Sequence, residues 1–204
     1  MSSTSLALAA VVAGALAAIY VLWWVVPALT GLPWVPTKPW RIRKALELAR
    51  LRPGEILYDL GAGDGRVLDI AAREFGARAI GIEISPMHCL LAGIRIWLGR
   101  TGERAKVIRG NLYECDLSGA DVVFAYLLRE QAARLRRRLE SHLRPGARVV
   151  AVSADFDGWE PAAFDEDGLI FMYRMPPPRG SVESFLAAAG GAALSDGYLS
   201  GSQR

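Results

Sequence analysis

Three glycines, Gly61, Gly63 and Gly65, fall inside the stretch Tyr58-Asp59-Leu60-Gly61-Ala62-Gly63-Asp64-Gly65-Arg66 and constrain the fold more than any other segment. The apolar run before them reads as a strand and the residues from Arg66 read as a helix, so the glycines form a tight strand-to-helix turn. A second apolar run ends on a carboxylate in Gly81-Ile82-Glu83-Ile84. A strand, a glycine turn, a helix and a second strand tipped by an acid make the arrangement that holds a nucleoside cofactor over the edge of a parallel sheet.

Charge decides which nucleoside. Asp59 and Asp64 would repel the pyrophosphate of a dinucleotide, whereas the sulfonium and ammonium of S-adenosylmethionine are suited to carboxylate neighbours. The spacing of Gly61, Gly63 and Gly65 is also tighter than the G-x-G-x-x-G of a dinucleotide turn. Gly61 and Gly63 lack a Cβ and let the backbone approach a ligand. Free N–H groups where the helix opens near Gly65 can face the methionine carboxylate, and Asp59 or Asp64 can hold the ammonium. Glu83 follows the turn by roughly 20 residues, the interval of a ribose-binding acid. Its structural alternative is a charge at the start of the helix after Ser85-Pro86. Asn111, in Arg109-Gly110-Asn111-Leu112, offers an amide that can pair with adenine, though Gly-Asn is also a common turn pair. Tyr126 closes a strand in Phe124-Ala125-Tyr126-Leu127-Leu128. Its phenol or ring face can orient a nucleophile beside a sulfonium, the alternative being a core aromatic. Methyl transfer depends on aligning two reactants, so it needs no Ser-His-Asp set or metal cluster.

The pattern along the chain alternates. A stiff Pro33–Pro39 linker leads to a helix capped by Thr37, with Ile42, Ala45, Leu46 and Ala49 at helical spacing and Pro53-Gly54 as its stop. Strands are expected at Ile56–Tyr58, Ala79–Ile84, Ala105–Arg109, Val122–Ala125 and Arg148–Ser153. Helices are expected at Arg66–Phe75, Pro86–Leu98 and Glu130–Leu143. This alternation predicts a parallel sheet covered on both sides, with Leu169–Tyr173 entering antiparallel. Residues 176–204 are dominated by Pro, Gly, Ala and Ser and are expected to be mostly disordered, with a short helix at Val182–Ala189. The basic residues Arg134, Arg136, Arg137 and Arg138 read as a solvated helix face or as a contact for anionic lipid.

The mean hydropathy of +0.22 is high for a soluble enzyme, and the excess sits at one end. From Leu6 to Leu29 the chain carries no charge. As a helix rising about 1.5 Å per residue this run spans roughly 36 Å, enough to cross a bilayer core. Lys38, Arg41, Arg43 and Lys44 follow it and no basic residue precedes it, which predicts the N-terminus outside and the rest cytoplasmic. Trp23, Trp24 and Trp34 suit a headgroup boundary, and Pro27 should kink or end the last turn. The organisation expected is therefore a membrane anchor over 1–34, a catalytic domain over 35–175 and a tail over 176–204. A net charge of +3 is too small to argue for nucleic acid. Cys89 and Cys115 read as free thiols.

The motifs Tyr-Asp-Leu-Gly-Ala-Gly-Asp-Gly-Arg, Gly-Ile-Glu-Ile-Ser-Pro and Ala-Asp-Val-Val-Phe-Ala-Tyr-Leu-Leu resemble those of class I S-adenosylmethionine-dependent methyltransferases. More narrowly they resemble the membrane-anchored protein-lysine methyltransferases of the adenine nucleotide translocase and ATP synthase c-subunit type, from about Val35 to Tyr173. The resemblance implies a Rossmann-like, doubly wound, mostly parallel seven-stranded α/β sheet behind one transmembrane helix. It implies cofactor contacts at Asp59, Gly61, Ala62, Gly63, Asp64, Glu83, Asn111 and Leu112, with Thr37 near the methionine end and Tyr126 lining the acceptor channel. Asn111 stands where many relatives carry aspartate. The Asn/Asp-Pro-Pro-Tyr motif of base and glutamine N-methyltransferases is absent. The expected acceptor is a lysine amine on a protein, with a membrane protein as partner. A lipid headgroup or small amine, or a non-catalytic sensor that binds the cofactor, are the alternatives.

Overall fold

A computed structural model describes residues 3–29 and 36–188. The chain divides into two units, Met1–Pro36 and Thr37–Arg204. In the first, helix α1 (Ser3–Leu29) runs two residues past Pro27. Its segment Thr4–Val21 is long and apolar enough to cross a membrane by length and composition. The side chains of Trp23 and Trp24, the linker through Trp34, and residues 189–204 lie outside the described residues.

The second unit begins with α2 (Pro39–Leu48) and then alternates. Strand β1 (Ile56–Leu60) leads to α3 (Arg66–Glu74), β2 (Arg78–Glu83) to α4 (Pro86–Leu98), and β3 (Ala105–Arg109) directly to β4 (Val122–Tyr126). Helix α5 (Arg129–His142), β5 (Arg148–Val152), β6 (Ala163–Asp165) and β7 (Ile170–Arg174) complete it. The seven strands lie in the order β3-β2-β1-β4-β5-β7-β6. β1 to β5 pair in parallel, and β7 enters antiparallel between β5 and β6.

Strand periodicity explains the two cores. In β4, Val122 and Phe124 join Ile42, Leu46 and Leu68 on one face, while Val123 and Ala125 join Leu135 and Leu139 of α5 on the other. Both faces are buried, which is why the strands read as continuous apolar runs.

Three expectations are corrected. Lys38, not Thr37, occupies the N-cap of α2 and makes no side-chain cap bond. Pro39 opens the helix one residue later than expected, and Thr37 is buried, its carbonyl accepting from Arg66 Nη1 at 3.1 Å. Strand β6 escaped the sequence reading because its three half-buried residues carry too short a pattern. Residues 176–181, expected to be disordered, are held by hydrogen bonds, while the short helix expected at Val182–Ala189 is present over 182–188. Glu160 N donates to Pro178 O at 2.9 Å, Gly180 N to Gly158 O at 3.2 Å, and residues 182–188 are helical behind a Ser181–Ser184 cap.

Close packing depends on one glycine in particular. Gly65 has φ +76°, and a Cβ there would lie 2.8 Å from the Ala92 Cβ and 2.9 Å from its Cα. Gly54, at φ +81°, has open space around it. Gly65→Ala should therefore destabilise the fold by about 2–4 kcal/mol and Gly54→Ala by about 1 kcal/mol, because only the first adds a backbone clash to the strain. Urea denaturation of both variants measures the difference.

Candidate cofactor and active site

Sheet order reverses between β1 and β4, since β2 and β3 extend to one side of β1 and β4 and β5 to the other. The crevice beyond the carboxyl ends of β1 and β4 is where ligands of such sheets bind. The structure brings the glycine turn, Glu83 and Tyr126 to this edge.

Gly61 and Ala62 both donate their N–H to Ile82 O, at 2.9 and 3.1 Å, folding the turn over the tip of β2. Gly63 N donates to Glu83 Oε2 at 2.8 Å and Ser85 N to Glu83 Oε1 at 2.9 Å. The buried Glu83 thus ties the β1 turn to the start of α4. Burial pushes its carboxyl upward. The His88 side chain, 3.8 Å away, and the N–H groups of Ser85 and Gly63 outweigh that and hold it below the usual glutamate range. Each oxygen keeps a lone pair for a further donor.

The two turn aspartates part company. Asp64 is clamped by Arg66, at 2.9 and 2.7 Å, and by Arg95 Nη2 at 2.7 Å. Although burial raises its pKa, the two guanidinium groups lower it further, and its charge is spent inside the protein. Of the two aspartates expected to hold the ammonium, one or the other, Asp64 is thus already engaged by two guanidinium groups. Asp59 is buried, and its Oδ2 has no hydrogen-bond partner among the described residues. Burial first, then the charges of Glu83 and Asp64, push its carboxyl up to about 8. The proton keeps the group neutral where no partner answers its Oδ2, and a bound cation would favour the ionised form.

Thr37 reaches the same edge through its carbonyl bond to Arg66. Tyr126 is half-buried at the end of β4, with Arg41 Cζ 5.8 Å from its ring centroid. Arg41 was missed by sequence reasoning. It donates to Ser153 Oγ at the end of β5 and to Gly168 O before β7, joining α2 to three strand ends. No local pattern marks it, because its hydrogen-bond partners lie more than a hundred residues away. His88 was also missed, although its place three residues after Ser85 puts it in the first turn of α4, where its backbone N–H donates to Ser85 Oγ at 3.4 Å. Asn111 and Leu112 follow β3, and Gly110 N donates to Glu83 O at 2.9 Å. The Asn111 amide is engaged locally, donating to Glu114 Oε1 at 2.7 Å and accepting from Tyr113 N at 3.1 Å. An adenine would have to exchange with Glu114.

A cavity of about 610 Å³ lies at the opposite edge, where Glu55, Asp121, Arg144 and Arg148 line it. Arg148 pairs with Glu55 at 2.7 Å and Arg144 with Asp121. No group of three metal-ligating side chains occurs among the described residues.

Known proteins fit this geometry. The model of the ANTKMT methyltransferase domain matches residues 59–163. The chain is 38% identical over 131 residues to a protein-lysine N-methyltransferase of Saccharolobus islandicus, covering 64% of this chain and 81% of that protein. It is 32% identical over 167 residues to the adenine nucleotide translocase lysine N-methyltransferase of Mus musculus, covering 76% and 71%. A crystal structure of an RNA methyltransferase from Salinibacter ruber in complex with S-adenosyl-L-homocysteine superposes with a TM-score of 0.68 at 37% identity, over 70% of this chain and 94% of that one. From the site's acidic glycine turn to the matching family model and relatives, the findings agree that the chain belongs to the ANTKMT methyltransferase domain family of S-adenosylmethionine-dependent enzymes.

Proposed function

We propose that this enzyme transfers the methyl group of S-adenosylmethionine to a lysine amine of a membrane-associated protein. The observation that carries the site reading is the unpartnered Oδ2 of Asp59 beside the glycine turn. It suits the cofactor's ammonium, while the lone pairs left on Glu83 accept from the ribose hydroxyls. Gly61, Ala62 and Gly63 offer close backbone approach, Asn111 and Leu112 flank the adenine, and Thr37 and Asp64 support the methionine end, Asp64 through Arg66. The acceptor reading is supported by relatives named as protein-lysine methyltransferases, one of them named for the adenine nucleotide translocase. α1 anchors the enzyme in the membrane, N-terminus outside and catalytic unit cytoplasmic.

In the transfer, the lone pair of a neutral amine forms the new N–C bond as the C–S bond of the sulfonium breaks, leaving S-adenosylhomocysteine. Tyr126 lines the approach and aligns the amine. The permanent cation of Arg41 beside that ring disfavours the protonated lysine, so the incoming ammonium loses its proton to solvent before attack.

Three outcomes test the reading. Glu83→Ala should weaken cofactor binding by about 1.5–3 kcal/mol in calorimetry, the range for hydrogen bonds to a charged group. The second follows from Asp59, whose carboxyl, pushed up to about 8 by burial, is mostly protonated in the free enzyme at neutral pH. A cationic ligand pulls that pKa down, so binding should expel a proton and affinity should rise as pH climbs toward that value. Calorimetry in buffers of different ionisation enthalpy reads the proton, and Asp59→Asn should abolish its release. Third, the full chain incubated with membrane extract and methyl-labelled cofactor should put label on protein lysines. Label confined to lipid, or to RNA as the name of the Salinibacter protein suggests, would overturn the acceptor. Cofactor binding without any transfer would make the protein a sensor.

A further inference from the structure

Helix α4 is turned inside out. Its buried side is narrow, made of His88, Ala92 and Ile96. Its outward side carries Met87, Leu90, Leu91, Ile94, Trp97 and Leu98, and no polar residue interrupts it. At 100° per residue these six side chains fall within an arc of about 120°, the width of a face that normally meets a core. Trp97 is 76% exposed, Leu98 68% and Leu90 58%. A water-soluble surface does not keep a contiguous apolar stripe of this kind without an occupant.

The charges around the stripe indicate which occupant. Arg100 and Arg104 follow the C-terminal end of α4, and Lys106 and Arg109 lie on β3, the edge strand against which α4 packs. All four are exposed and none forms an ion pair among the described residues. Glu103 is the acid in the same connection. An apolar helix face with a tryptophan and a basic margin is the composition of a helix that lies in the plane of an anionic bilayer, its apolar side chains among the acyl chains and its guanidinium groups at the phosphates. We propose that the exposed face of α4 docks the catalytic unit onto anionic lipid. The proposal deepens the membrane reading given above by assigning the catalytic unit a lipid contact of its own, separate from α1. Because α4 begins three residues after Glu83, docking brings the cofactor edge close to the bilayer, where a lysine at the membrane surface would be presented.

The test uses the full chain in vesicles of phosphatidylcholine alone or mixed with phosphatidylglycerol. With Cys89 and Cys115 replaced by alanine, an environment-sensitive fluorophore is placed on Leu98→Cys, or on Ser118→Cys as a control away from the stripe. Docking should brighten the Leu98→Cys probe several-fold and shift it to the blue in the anionic vesicles, much less in the neutral ones, and leave the control unchanged. In the unmodified chain, hydrogen exchange along α4 should slow in the anionic vesicles relative to the neutral ones. Alkaline extraction of the same vesicles reports on α1 separately: release of the chain there overturns the anchor and leaves the docking signal to stand by its own result. A probe that stays dim in anionic vesicles, with unchanged exchange, overturns the docking proposal. Brightness that falls as protein is diluted into more lipid overturns it in favour of a second copy of the chain.

Discussion

The carboxylate of Glu83 is the joint on which this site depends. One oxygen accepts from the turn after β1 and the other from the residue that starts α4, so a single side chain fixes two helix entries against one strand tip. The parallel pairing of β1 with β2 sets the direction of the two strands. It does not set how the glycine turn leans. That lean is supplied by Glu83, with the two N–H groups of Gly61 and Ala62 on Ile82 O as its backbone counterpart. An apolar residue at this position would leave the buried N–H of Gly63 and the half-buried N–H of Ser85 without their acceptor, a cost well above that of one lost surface contact.

Three carboxylates crowd this edge, and the protein treats each differently. Asp64 is answered by guanidinium groups, Glu83 by backbone N–H groups, and Asp59 by nothing on Oδ2. The first two make the turn rigid. The third is left short of partners, which costs stability in the free protein and, on the reading proposed above, leaves that oxygen for the cofactor's ammonium.

Much of this was readable in the chain because the informative residues are close together in sequence. Gly61 to Arg66 announce a strand-to-helix turn by composition, and Glu83 sits at a spacing that βαβ geometry fixes. Alternating apolar runs predicted five parallel strands and one antiparallel one, and the sheet has them. What the sequence hid was pairing at a distance. Asp59 and Asp64 look equivalent in a string of letters; only the approach of Arg95 from α4, together with Arg66, separates them. Arg41 meets Tyr126 because α2 folds back over strand ends that arrive far later in the chain. Strand β6 is too short to show a period, and the stretch after Pro176 is ordered by hydrogen bonds to Gly158 and Glu160 that its Pro- and Gly-rich composition does not announce.

The partition of roles around the cofactor has a kinetic corollary. On the reading proposed here, Asp59 holds an ammonium and Glu83 a ribose, and both groups are the same before and after the methyl leaves. Only the sulfonium changes, becoming a neutral thioether, and neither of these two side chains answers that change. Spent cofactor is then held nearly as firmly as fresh cofactor. Turnover would follow the ratio of the two in the surrounding medium rather than the supply of methyl donor alone.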